Sequence, residues 1–146
     1  MRKKKIQILL SAAAFLFLMG GTMPSVAQER KIGRIERRAD RNFIRQKFDK
    51  AMAQYETAIR REKDEDSQAA LHLKTARLYF MVREYGRASE HYDKAMGLRP
   101  DLLGVDDVCD YIDALRFQGQ ARKAEAICLD NAYKDIYSRY QRYQNT

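Results

Sequence analysis

Cysteine, proline and histidine each occur only twice in this 146-residue chain, and tryptophan not at all. These scarcities exclude chemistry before shape is considered. Cys109, Cys128, His72 and His91 stand at spacings that match no zinc site. The seven glycines nowhere form a phosphate-cradling loop or a nucleophile elbow. The acidic clusters Asp64-Glu65-Asp66 and Asp106-Asp107 lack the ligand spacing of a calcium loop. They read as solvated helix starts or linkers, where the helix dipole favours negative charge. The alternating segments and β-branched runs that mark strands are missing. His72 and His91 fall on helical stretches, and His91, next to Tyr92, is expected to be exposed. The expectation is an all-α chain with no catalytic residue, no metal and no cofactor, and therefore not an enzyme.

What is present begins with a leader. Arg2, Lys3, Lys4 and Lys5 precede an apolar run from Ile6 to Met19, interrupted by Gln7 and Ser11; Gly20, Gly21, Pro24 and Ser25-Val26-Ala27 follow. That order is the layout of a secretory signal peptide, residues 1–27, cleaved after Ala27. The run is shorter than the ~20 residues of a spanning helix, which disfavours an uncleaved anchor. With no cysteine near the cleavage region, a lipoprotein anchor is not supported. The whole chain carries +8; without the leader's four basic residues it carries +4, from 24 basic and 20 acidic side chains. This predicts a mildly basic, well-mixed surface without a nucleic-acid footprint. Export also argues against nucleic acid as a partner.

The mature chain repeats itself. Ala39, Phe43, Phe48, Ala51, Tyr55 and Ala58 recur 37 residues later as Ala76, Phe80, Tyr85, Ala88, Tyr92 and Ala95. A weaker copy follows 36 residues further on, as Ile112, Arg116, Ala121, Ala124, Cys128 and Asn131. Such a period means stacked units that hide their apolar faces against their neighbours. Within each unit the apolar residues fall at steps of three and four, the helical period. Three helix pairs are predicted, at 32–45 with 48–62, 67–82 with 85–98, and 102–117 with 120–138. The turns lie near Arg45-Gln46-Lys47, Arg83-Glu84 and Gly119. The charged segment from Arg60 to Gln68 reads as an exposed connection in which Asp66 or Ser67 caps the next helix. Small residues set the close approaches: Ala39 against Ala51 and Ala76 against Ala88 within pairs, Ala58 and Ala95 between them, with Tyr55 and Tyr92 alongside. Ala124 takes the same place in the third unit. Cys109 and Cys128 lie one on each helix of that unit. A disulfide between them and a plain core role for Cys128 both remain open.

This pattern of small residue, aromatic at the turn, Ala, aromatic four later and Ala three after that resembles the tetratricopeptide repeat. The second copy matches it through Ala76, Tyr85, Ala88, Tyr92, Ala95 and Pro100, and the first lacks only the proline. In the third, Ala121 and Asn131 replace the aromatic and the last alanine. The resemblance spans about residues 32–131 and implies a right-handed α-solenoid of about three helix hairpins over 28–138, followed by a tail, 139–146. A leader followed by such repeats is also similar to the N-terminal modules of OmpA-like envelope proteins of Bacteroidetes-type bacteria. This implies a location in the periplasm or at the outer membrane of a Gram-negative bacterium, and leaves open a stand-alone protein or a truncated relative.

The resemblance implies a binding groove lined by the first helix of each pair: Glu36, Asp40, Phe43 and Ile44; Leu73, Arg77, Phe80 and Met81; Cys109, Asp113, Arg116 and Phe117. An apolar strip with charged flanks suits an amphipathic helix or an extended peptide, although some of these side chains could instead pack between repeats. Asp40, Arg77 and Asp113 stand where carboxylate-clamping relatives carry Lys and Asn, so binding of a terminal carboxylate is not expected. Tyr133, Tyr137, Tyr140 and Tyr143 form a helical stripe that reads as a cap over the last repeat or as a contact face. The functional expectation is a scaffold that binds a protein or peptide in the cell envelope. The rival is a self-assembling subunit of an envelope or secretion complex.

Overall fold

The computed structural model describes residues 26–130, all of whose regular structure is helical. The leader up to Ser25, the tail and the tyrosine stripe lie outside the described residues. Six α-helices follow one another: α1 (Val26–Ile44), α2 (Phe48–Ile59), α3 (Glu65–Met81), α4 (Tyr85–Leu98), α5 (Val105–Phe117) and α6 (Ala121–Leu129). A single 3-10 turn, Pro100–Leu102, separates α4 from α5. Each helix packs against the next in sequence, and α3 also packs against α5. Among the described residues no helix is long and apolar enough to cross a membrane.

The three turns within helix pairs are built alike. Gln46, Arg83 and Gly119 adopt left-handed backbone conformations, with φ of 56°, 65° and 73°. In each turn two amides reach back to the preceding helix. The amides of Gln46 and Lys47 donate to the carbonyls of Phe43 and Asn42, both at 2.8 Å; those of Arg83 and Glu84 donate to Phe80 and Tyr79, at 3.0 and 2.9 Å; those of Gly119 and Gln120 donate to Arg116 and Leu115, both at 2.9 Å. This satisfies carbonyls that a helix end leaves orphaned. The left-handed residues are spaced by 37 and 36 positions, the spacing of the sequence repeat, so the third turn shares its conformation with the other two despite the weaker sequence around it.

Several boundaries differ from expectation. The first helix is already formed at Val26, ahead of 32. Asp64, rather than Asp66 or Ser67, caps α3, its carboxylate accepting the Ser67 amide at 2.9 Å. That bond favours the charged carboxylate and lowers its pKa. α5 starts at Val105 rather than 102, because Asp107 turns back to accept the Gly104 amide at 2.9 Å. α6 ends at Leu129, where Asp130 is extended; aspartate competes with the helix through its own side chain. The 60–68 connection is not wholly exposed: Glu62 is buried and its carboxylate accepts the amides of Lys63 and Asp64.

The repeated alanines lie in the interior. Ala39, Ala51, Ala58, Ala76, Ala88 and Ala95 are completely buried, and Ala124 nearly so. Tyr55 and Tyr92 are buried beside them. Two apolar clusters result, one around Ile32, Ala39, Tyr55 and Leu78, the other around Ala88, Tyr92, Tyr111 and Leu115. Met52 and Val82 pack against both and join them into one continuous interior.

Candidate interaction surface

The last residues of α1, α3 and α5 are Ile44, Met81 and Phe117. They hold equivalent places, each directly before a left-handed turn, and their exposures are 77%, 53% and 65%. A large apolar side chain left in water forgoes the burial that drives folding, and here the same exposure occurs once per unit. Aromatic contacts extend the row. Phe43 and Phe48 meet across the first turn with ring centroids 6.1 Å apart. Phe80 meets Tyr85 edge-on at 5.5 Å, and Tyr85 stacks on Phe117 at 4.4 Å. This last pair ties the second unit to the third with an aromatic surface that still faces solvent.

The other residues expected in the groove serve the fold. Leu73 and Cys109 are buried, Leu73 within the core, so neither lines an open surface. Asp40 accepts the Tyr55 hydroxyl at 2.5 Å and lies 3.4 Å from the Lys74 ammonium, which also pairs with Glu36 at 2.7 Å. Arg77 grips Asp107 through two bonds, at 2.5 and 2.8 Å. These pairs tie α1 to α3 and α3 to α5. They are structural ties rather than available contacts, because an arginine engaged by both carboxylate oxygens has its fork filled. Asp113 lies 3.7 Å from Arg116 on α5 itself. Lys74 and Asp107, which complete the ties, carry no signal in the sequence; their partners are 38 and 30 residues away.

The even helices are tied in a parallel way. The Tyr79 hydroxyl donates to Glu56 at 3.0 Å, and the Arg87 guanidinium sits over the Tyr79 ring at 5.5 Å. One unit on, Asp93 accepts from Tyr111 and Lys123, and the Lys123 ammonium lies 5.9 Å from the Tyr111 ring. Glu56 and Asp93 are 37 residues apart, Arg87 and Lys123 36. The repeat is thus written in charges as well as in alanines.

His91 is buried, contrary to its expected exposure. Its Nδ1 lies 2.9 Å from Nδ1 of His72, also buried, and its Nε2 lies 3.5 Å from Glu56. Two neutral rings satisfy this geometry: His72 donates its Nδ1–H to the bare Nδ1 of His91, whose Nε2–H faces the carboxylate. Burial first, then the other ring's charge, pushes the His72 pKa down to about 4. Burial also lowers that of His91, against the pull of Glu56. A helix-packing reading of the sequence does not reveal this pair, because histidine rarely serves as a core residue.

Cys109 and Cys128 are buried thiols with no disulfide between them. Burial, followed by nearby Asp113, pushes the Cys109 thiol up to about 11. It stays protonated and acts as a small apolar group. Among the described residues no group of three or more His, Cys, Asp or Glu could hold a metal ion.

Charge is segregated rather than well mixed. Residues 26–47 contain eight basic and three acidic side chains, whereas 101–117 contain five acidic and one basic. Asp106, Asp110 and Asp113 share one side of α5, and burial together with the neighbouring Asp107 pushes the Asp110 carboxyl up to about 6. Helical spacing produces both concentrations, and net charge alone hides them.

No family model, curated protein or solved structure matches the chain.

Proposed function

We propose that the chain is an exported scaffold of tetratricopeptide type, a right-handed solenoid that holds a protein or peptide in the cell envelope and carries out no chemistry itself. The observation that carries this reading is the exposed apolar row of Ile44, Met81 and Phe117, presented once per unit from equivalent positions. Repeated apolar anchors on a rigid frame suit a partner whose own apolar residues recur, as in an amphipathic helix. The internal ion pairs of Asp40, Lys74, Arg77 and Asp107 support the same reading, since they fix the spacing of the anchors without competing for the partner.

The test is a comparison of captured partners. Mature chain immobilised as bait in envelope extract should retain a defined partner, and Met81→Glu with Phe117→Glu should lose it while the helical circular dichroism signal is unchanged. Retention of the partner by the double variant contradicts the assignment. Export is checked separately: the periplasmic product should begin at Gln28.

A further inference from the structure

We propose that the outer face of α1 is a docking surface for an anionic lipid bilayer. Arg30, Arg34, Arg37, Arg38, Arg41 and Arg45 are all exposed. At 100° per residue Arg30 to Arg41 fall within roughly 100° of the helix circumference and run about 17 Å along it, and Arg45 follows directly after the helix end. The acids of this segment lie elsewhere: Glu36 and Asp40 are turned toward Lys74 of α3, and Glu29 is placed on that same flank by the helical period. Among the described residues none of the six arginines is ion-paired. Such a row of like charge repels itself, and a folded chain has no internal use for it.

Two observations select a bilayer as the occupant. The first is charge: guanidinium forks match phosphate oxygens, and basic residues beside an anionic membrane each add to binding. The second is shape. The stripe lies opposite the side of α1 that buries Ile32 and Ala39. It is the outer side of a helix rather than a groove, and the exposed Val26 and Ile44 stand at its edge near either end, where a bilayer interface accepts apolar side chains beside basic ones. Lys31 extends the field into a cleft of about 450 Å³ that Arg61 and Lys63 also line. The stripe adjoins Ile44 but contains neither Met81 nor Phe117, and the substitutions that test the two readings share no residue, so the lipid and partner readings can fail separately.

The test uses the full chain and vesicles of equal parts phosphatidylglycerol and phosphatidylcholine, with pure phosphatidylcholine vesicles reporting uncharged binding; the leader's four basic residues are common to every variant, so the stripe is read from the differences between variants. Wild-type chain should bind the anionic vesicles more tightly, and the excess should vanish at about 0.5 M salt. Arg34→Glu/Arg38→Glu/Arg41→Glu should lower anionic binding about 100-fold, and the corresponding Gln variant should fall between. Lys50→Glu/Lys94→Glu/Arg122→Glu, with the same change in net charge on other surfaces, should change it less than about three-fold. Equal losses in the two Glu variants, or undiminished binding by the stripe variant, overturn the proposal. Stripe-dependent binding to a DNA duplex without a preference for anionic vesicles also overturns it, in favour of nucleic acid.

Discussion

The equivalent turns allow one substitution to be made with opposite expected signs. Gln46 and Arg83 hold the left-handed conformation with a Cβ present, whereas the third turn uses Gly119. For an L residue this conformation costs about 1–2 kcal/mol. Glycine removes that strain but returns roughly 0.5–1 kcal/mol through its freer unfolded chain. Arg83→Gly should therefore stabilise the protein by about 0.5–1 kcal/mol, and Gln46→Gly by a similar amount. Gly119→Ala should destabilise it by about 1 kcal/mol. An added Cβ at Gly119 meets no atom within 4 Å, so that cost is a backbone cost without a clash. Near 100 residues, 1 kcal/mol moves the midpoint by about 4 °C, within reach of thermal and urea unfolding followed by circular dichroism. If Arg83→Gly lowers the midpoint, or Gly119→Ala leaves it unchanged, the three turns do not share the conformation on which the repeat architecture rests.

Other consequences follow. His72 takes its proton at about 4 in the folded chain and near 6.5 when unfolded, so its contribution to stability is fully present above 6.5 and is lost as pH falls toward 4. Asp110 acts in the opposite sense: its carboxyl protonates at about 6 when folded and near 3.9 when unfolded, so acidification favours the fold over much of the same window. Asp110→Asn should raise stability at pH 7 by about 1 kcal/mol, the carboxylate being half exposed and screened by solvent, and leave a steeper loss between pH 6 and 4, measured by urea unfolding across pH; an unchanged pH profile refutes the pairing of these opposed groups. Arg77→Ala should cost about 2 kcal/mol by leaving Asp107 buried without its cation, and Asp107→Ala about 1 kcal/mol, the α5 cap, because it removes the buried charge and leaves the half-exposed Arg77 to solvent; chemical denaturation checks the order. Ala88→Leu should cost about 1–3 kcal/mol or more by forcing α3 and α4 apart, seen as a lower thermal midpoint.

The period of 37 and 36 residues was legible because core positions are constrained to be small or aromatic, and the same alanines and tyrosines recur in order. Helix ends were less legible. They depend on single hydrogen bonds such as those at Asp64 and Asp107, which periodicity does not carry. For the surface, the sequence pointed to Ile44, Met81 and Phe117, but it could not separate them from Leu73, which has the same character and lies in the core. Asp40 and Arg77 looked available because their partners lie far along the chain. The histidine pair was hidden for a related reason: nineteen residues separate two rings that the turn at Arg83 brings together. Net charge concealed the arginine stripe, since an excess on α1 and a deficit on α5 largely cancel in a sum.

The row at the ends of α1, α3 and α5 is the proposed holding site for a partner. Site-specific photo-crosslinking in cells probes it. A photoreactive residue at Ile44, Met81 or Phe117 should yield one common protein adduct, whereas the same residue at Lys50, Lys94 or Arg122 should not. Adducts of equal yield from both sets, or none from the row, would contradict it.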